Sequence, residues 1–216
     1  MAFTQERRER LEALMAVLNQ ERNRVDYRLS PLLREAEALV SAQLAEEAAP
    51  EADTLREALA VCRCVGRLYD RMARFPLSAR AYRRALELSV ILKQRGEEVT
   101  GVQMLLENAL YARNYYVDDD CADLKELASA LLDADTVAEI DSRKALRYRR
   151  LKHDPVEMTE EYLAVIDEVE ELVEKNREYS GFGSCHHLWS LKTQYLAQRG
   201  IRWRSPAVMN PRVLFD

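Results

Sequence analysis

Residues 55–92 read LREALAVCRCVGRLYDRMARFPLSARAYRRALELSVIL, and this stretch decides the fold class of the chain. Apolar residues recur every three or four positions on both sides of residues 74–76, which predicts two helices joined by a short turn. Small and aromatic residues lie where two tightly crossed helices need close approach and filling: Gly66, Ala73, Tyr69, Phe75 and Tyr82. The stretch therefore predicts an antiparallel pair of closely packed helices.

The same stretch resembles a tetratricopeptide repeat. That family's pattern places a Gly, a Tyr three residues on, an aromatic six further, then a small residue, an aromatic and an Ala three, four and three further. The matching residues are Gly66, Tyr69, Phe75, Ser78, Tyr82 and Ala85. Two positions depart from the pattern, because Cys62 replaces a large residue and Val90 replaces a frequent proline. The resemblance implies that Gly66, Tyr69, Tyr82 and Ala85 serve packing and that the first helix of each pair lines a wall that binds extended peptides.

The composition extends the helical interpretation to the whole chain. The 216 residues include only six Gly and six Pro, and 48% are apolar while 32% are charged, which is typical of amphipathic helices. Further helices are predicted at about 4–24, from 30 to the break at 48–50, and at 98–115, 121–140, 154–175 and 184–199. We predict an all-α fold in which antiparallel hairpins stack as an irregular tetratricopeptide-like array. Residues 1–200 form one domain in this interpretation, and residues 201–216 form an extended C-terminal tail docked on it.

The tail carries more apolar side chains than a disordered segment normally does. These are Ile201, Trp203, Val208, Met209, Val213, Leu214 and Phe215. Pro206 and Pro211 favour an extended path and lower the entropy lost on ordering. We expect the tail to lie as a strap across the helices of its own chain, and the alternative is that it enters the groove of a neighbouring molecule.

Charge and hydropathy exclude several classes of function. A net charge of −5 argues against general nucleic-acid binding, which needs an excess of Lys and Arg. No apolar run approaches the roughly 20 residues that span a bilayer, and the amphipathic N-terminus lacks a signal-peptide core. Four scattered cysteines are too few for a disulfide framework. We therefore predict a cytoplasmic protein with reduced thiols that binds neither nucleic acid nor membrane.

Catalytic and cofactor motifs are absent from the sequence. It has no phosphate-binding Gly-rich loop, zinc-protease helix motif or nucleophile elbow, so no cofactor, metal or enzymatic activity is predicted. The run Asp118-Asp119-Asp120 is interpreted as a helix cap, and a divalent-cation site is the competing interpretation.

One compact polar group remains as an alternative site. Cys185, His186 and His187 open a predicted helix near Trp189, and a helix N-terminus stabilises a thiolate. Adjacent residues do not face each other on a helix, which disfavours a nucleophile and base pair. A small-ligand-binding protein or an enzyme that uses these residues is the second hypothesis.

The first hypothesis is a non-catalytic interaction module that binds a protein or peptide partner. Helical phase alone predicts that six polar and aromatic residues line the binding wall: Arg63, Arg67, Asp70, Asn108, Tyr111 and Tyr115. The protein is predicted to be a monomer or a homodimer. A third hypothesis is a dimeric regulatory protein whose acidic helix, residues 158–175, packs against a second copy.

Overall fold

A computed structural model describes residues 5–20, 26–46, 49–116, 120–147, 151–178, 181 and 183–215. Helices make up 76% of these residues, which contain no β-strand, so the predicted all-α fold is confirmed. No helix in these ranges is both long enough and apolar enough to span a bilayer.

The α-helices are numbered in chain order. They are α1 (Gln5–Gln20), α2 (Ser30–Glu46), α3 (Ala52–Arg71), α4 (Phe75–Gln94), α5 (Val102–Arg113), α6 (Ala122–Ser129), α7 (Ala134–Arg147), α8 (Glu160–Lys175), α9 (Ser184–Gln198) and α10 (Pro206–Met209). Short 3-10 helices occur at Tyr27–Leu29 and Pro155–Met158.

The chain divides into two compact units, Met1–Tyr148 and Arg149–Asp216. This division differs from the boundary at residue 200 that the sequence predicted. The first unit contains α1 to α7 and the second contains α8 to α10.

In the first unit, helices that follow one another in the sequence pack side by side. The pair α3 and α4 is the most extensive contact, α2 and α5 flank it, and α7 packs on α5. Their buried faces share one apolar core that runs from Leu11 in α1 to Ile140 in α7. This stacking of successive helices is compatible with a helical repeat array.

The crossing of α3 and α4 depends on Gly66. A methyl group at this position would lie 2.8 Å from Cε1 of Tyr82, closer than packed atoms approach. The hydroxyl of Ser78 donates a hydrogen bond of 2.9 Å to the carbonyl oxygen of Gly66. The buried Tyr69 donates from its hydroxyl to Oε2 of Glu37 on α2, at 3.0 Å. Positions 66 and 82 thus lie at the crossing of α3 and α4, and Tyr69 contacts α2.

Ala73 does not lie at this crossing, and its predicted packing role is wrong. It is exposed in the turn after α3 with φ of 55°, a left-handed conformation that favours glycine. The amide of Arg74 donates to the carbonyl of Tyr69 at 2.8 Å, and the amide of Ala73 donates to that of Asp70 at 3.0 Å. These two bonds define a Schellman motif, in which Ala73 occupies the position usually held by glycine. Gly96 occupies the same position after α4.

Gln43 is an exception within the core of the first unit. Its side chain is fully buried on the inner face of α2, in line with Leu33, Ala36 and Val40. Neither its amide nitrogen nor its amide oxygen has a hydrogen-bond partner in the described part of the chain.

Three helix starts differ from the sequence prediction, each because of a local backbone feature. Gly101 adopts φ of 70° and starts α5 at Val102 rather than near residue 98. The continuous helical spacing at 121–140 is divided, because Asp133 accepts hydrogen bonds of 2.8 Å from the amide and hydroxyl of Thr136 and caps α7. Asp154 caps only a 3-10 helix, and α8 starts after Thr159.

The second unit is built on the pair α8 and α9. Leu163, Ile166 and Val169 of α8 and Leu196 of α9 are buried. After Gly200 the chain buries Ile201 and Trp203, and the single turn α10 begins at Pro206, where a proline costs no backbone hydrogen bond.

Candidate functional site

A cavity of about 470 Å³ opens between α1, α3, α4 and α5 in the first unit. Its polar lining residues are Asn19, Arg63, Arg67 and Asn108, and its apolar ones include Met15, Tyr82, Met104 and Leu105. Met104 is 65% exposed, which is unusual for a large apolar side chain. The cavity therefore combines apolar walls with a few polar groups, as ligand sites generally do.

Arg63 is held in this cavity by the start of α5. Its Nη2 donates a hydrogen bond of 2.7 Å to the carbonyl of Thr100, just before the left-handed Gly101. Its Nε is buried with no hydrogen-bond partner among the described residues, and burial lowers the pKa of the guanidinium. An arginine that lines a cavity can bind an acceptor on a ligand through its guanidinium group.

The structure brings three of the six predicted wall residues together. Arg63, Arg67 and Asn108 line the cavity from α3 and α5. Asp70, one turn further along α3, is outside the lining.

Tyr111 and Tyr115 are also outside the lining and pack against Phe75 at the start of α4. The rings of Tyr115 and Phe75 are stacked with centroids 3.4 Å apart, and Tyr111 meets Phe75 edge-on at 5.8 Å. Tyr116 joins the same aromatic cluster. The two tyrosines therefore have a packing role that helical phase alone did not show.

Helical phase does not identify the residues that α1 and α4 contribute to the cavity. Met15 and Asn19 come from α1, which is distant in sequence from α5, and Tyr82 comes from α4. The one available signal was the repeat pattern, which places Tyr82 against Gly66 and hence beside α3.

Comparison with models of known families, with curated proteins and with solved structures finds no match to this chain. Similarity to a characterised protein therefore contributes nothing to the choice between functions.

A second cavity of about 340 Å³ lies between α2, α3 and α4, and Glu37 and Cys62 line it. Burial, with a smaller contribution from the nearby Glu37, raises the pKa of the Cys62 thiol to about 12. Burial also raises the pKa of Glu37, against the lowering effect of the hydrogen bond from Tyr69. A thiol with so high a pKa stays protonated at neutral pH and is a poor nucleophile.

The alternative site falls on the first turns of α9 in the second unit. Cys185 is half-buried there, whereas Cys62, Cys64 and Cys121 are buried. The ring of His186 meets Trp189 edge-on at 5.2 Å, and Trp189 meets Phe215 at 5.1 Å. His187 is half-buried on the same turn. These ring contacts are packing interactions and assign no chemistry to Cys185.

Among the described residues, no three His, Cys, Asp or Glu side chains lie close enough together to hold a metal ion. Asp118 and Asp119 of the predicted cap lie outside those residues. Asp120 forms an ion pair of 2.6 Å with Lys125.

A buried polar cluster in the second unit joins the segment after α9 to the 3-10 helix before α8. Nε1 of Trp203 donates a hydrogen bond of 2.6 Å to Oε1 of the buried Glu157. The amide of Arg204 donates to Oδ2 of Asp154 at 2.7 Å, and its Nε donates to the same atom at 3.1 Å. Burial alone would raise the pKa of Asp154, but the hydrogen bonds from Arg204 and Val156 outweigh it and lower this pKa.

Lys192 covers this cluster. Its Nζ lies 4.8 Å from the ring centroid of Trp203 and 5.4 Å from that of Tyr162. Cation–π contacts of this kind fix the lysine over the two rings. The cluster therefore has a structural role in holding residues 201–204.

Proposed function

We propose that this chain is a tetratricopeptide-like interaction protein without catalytic activity, and that it binds a protein or peptide segment in the cavity of the first unit. The observation that carries the proposal is the side-by-side placement of Arg63, Arg67 and Asn108 in a cavity with apolar walls.

The chemistry of the cavity suits an extended peptide. Arginine and asparagine side chains, here Arg63, Arg67 and Asn108, donate hydrogen bonds to backbone carbonyls and acidic groups. Met15 and Met104 supply flexible apolar surface that adapts to different side chains. The cavity also accommodates a few side chains rather than a whole domain.

The repeat-like packing supports the same proposal. Gly66, Ser78 and Tyr82 make the close crossing of α3 and α4 that the repeat pattern implies. This crossing places α3, the first helix of the pair, against the cavity. A rigid helix pair holds the two arginines in place before binding. Most of the conformational entropy lost on binding would therefore be lost by the peptide, and little by the protein.

An enzymatic role has less support. The Cys62 thiol is held protonated, and the contacts of His186 and Trp189 are aromatic packing. A cytoplasmic location, a monomeric or homodimeric state and the absence of a cofactor are part of the proposal.

Selection of random peptides on the immobilised full-length protein tests this function. The affinity of the selected peptides should fall at least about tenfold in each of the variants Arg63→Ala, Arg67→Ala and Asn108→Ala. Truncation of an interface arginine commonly costs more than 1 kcal/mol of binding free energy. Arg56→Ala is the matched control, because Arg56 lies on α3 outside the cavity and pairs with Asp53. Fluorescence anisotropy measures the affinities. Equal binding by all four variants would show that the peptides bind elsewhere.

A further inference from the structure

The second unit carries a group of exposed apolar side chains around Asn210. Leu151 is 39% exposed, Val208 63%, Val213 44% and Leu214 87%. Most large apolar side chains of the described residues are at least partly covered, and only Val17 and Met104 are comparably exposed. Four such residues at one place form a candidate contact surface.

Hydrogen bonds hold this surface together. Oδ1 of Asn210 accepts from the amide of Lys152 at 2.7 Å, and Nδ2 of Asn210 donates to the carbonyl of Lys152 at 2.8 Å. The amide of Val213 donates to the carbonyl of Asn210 at 3.0 Å. Residues 151–152 and 208–214 therefore lie side by side, and we call them the Asn210 surface.

The Asn210 surface is anchored on the core of its unit. Ile201 and Trp203, a few residues before it, are buried, and Trp203 is bonded to Glu157. A surface that is already ordered loses little conformational entropy when a partner binds.

Two exposed cations are sequence neighbours of these apolar residues. Lys152 is adjacent to Leu151, and Arg212 is adjacent to Val213. Both are exposed, and neither forms an ion pair within the described ranges, whereas Arg204 is bound to Asp154. This local positive charge contrasts with the net charge of −5 of the whole chain.

We infer that the Asn210 surface docks an acidic, amphipathic segment of another protein. Acidic side chains of the partner would meet Lys152 and Arg212, and its apolar side chains would cover Val208, Val213 and Leu214. Complementary charge of this kind favours specificity and fast association. The inference is independent of the cavity in the first unit.

Two other occupants fit less well. Three acidic residues of α8 on a second copy already pair with their own neighbours, in Glu168–Arg199, Glu171–Lys175 and Glu174–Arg177. An anionic membrane normally recruits a longer amphipathic helix, and α10 has only four residues.

The experiment uses the full-length protein and a synthetic peptide in which Glu and Asp alternate with Leu and Phe. A second peptide keeps the apolar residues and replaces every acid by Lys. We expect anisotropy to show binding of the acidic peptide only, and added salt to weaken it through screening. Leu214→Asp and Arg212→Glu should each weaken binding by about tenfold or more.

Matched controls separate this surface from general effects of charge. Val17→Asp changes a residue of α1 that is exposed like Val213, and Arg8→Glu inverts an exposed charge on the same helix. Both controls should bind the acidic peptide like the parent.

Four outcomes would overturn the inference. They are no binding of the acidic peptide, equal binding of the basic peptide, equal affinity of the surface variants and the parent, and equal losses in the controls. Binding to phosphatidylserine vesicles without peptide binding would assign the surface to a membrane instead. Self-association that Leu214→Asp abolishes would assign it to a second copy.

Discussion

The ring of Tyr82 occupies the space that any side chain on Gly66 would need. Cε1 and Cδ1 of Tyr82 would lie 2.8 and 2.9 Å from a β-carbon at residue 66. Tyr82 is itself buried, so its ring has little room to move. The distance between α3 and α4 is therefore set by the absence of a side chain at residue 66.

Gly66→Leu should destabilise the first unit by at least about 1–3 kcal/mol, because overpacking forces the helices apart. Urea unfolding followed by far-UV circular dichroism measures the change. Gly66→Ala should be less harmful in a Tyr82→Leu background than in the parent, since the clash is with the ring. A Gly66→Leu variant as stable as the parent would show that the crossing is not closely packed.

Ala73→Gly should stabilise the protein by up to about 1 kcal/mol. The left-handed conformation costs an alanine about 1–2 kcal/mol, and glycine avoids this cost. Glycine also raises the conformational entropy of the unfolded chain, which cancels part of the stabilisation. The reverse change at the equivalent turn, Gly96→Ala, should lower stability by a similar amount, because Gly96 has φ of 80°. Thermal unfolding of the two variants should shift in opposite directions, and shifts of the same sign would contradict the assigned turn.

Gln43→Met should stabilise the first unit by about 1–3 kcal/mol. Burying an amide with no hydrogen bond costs this much, and methionine has a similar shape without the polar atoms. Chemical denaturation gives the free energy of unfolding. The adjacent exposed Ser41→Ala serves as the control and should change stability by less than about 0.5 kcal/mol. A less stable Gln43→Met variant would indicate a polar partner for Gln43.

Trp203→Phe should destabilise the second unit by about 1–3 kcal/mol, because the buried carboxylate of Glu157 loses the hydrogen bond that Nε1 of Trp203 donates. Both tryptophans of the chain lie in this unit, so the fluorescence of the remaining Trp189 still reports its unfolding. Combining Trp203→Phe with Glu157→Leu should cost less than the sum of the two single changes. Additive costs would mean that the two side chains do not interact.

Asp154 should make the second unit sensitive to acid. Its folded pKa is lowered, so its carboxylate stabilises the fold at pH values above the unfolded pKa of about 3.9, and this contribution is lost as the pH falls through the folded pKa. Asp154→Asn should therefore be less stable than the parent at neutral pH, and the difference should shrink below about pH 4. Urea midpoints from tryptophan fluorescence test this, and a constant difference at all pH values would refute it.

The sequence predicted what depends on local spacing. The repeat pattern predicts the packing positions 66, 69 and 82. Helical phase places Arg63, Arg67 and Asn108 on one wall, and all three line the same cavity. Phase could not separate Asn108 from Tyr111 and Tyr115, since the aromatic ring of Phe75 at the start of α4 decides which part of α5 is covered.

Sequence patterns do not predict features that depend on residues far apart in the sequence. Trp203 and Glu157 are 46 residues apart, and nothing in either neighbourhood signals the bond. The division near residue 148 is not readable from the sequence, because helical periodicity does not show where one core ends and another begins. The break before α7 was readable in principle, since Asp133 and Thr136 have the spacing of a helix cap.

The buried cysteines can report how often the first unit opens, because a buried thiol reacts only when it becomes exposed. Cys62, Cys64 and Cys121 are buried in the first unit, and Cys185 is the partly accessible thiol of the second. Cys62 and Cys64 line the two cavities, whereas Cys121 is 1% exposed and lines neither, so an alkylating dye that has first saturated Cys185 reaches Cys121 only when the helices around it separate. The rate of that slower labelling then measures how often the first unit opens in the native state, without any substitution in the protein.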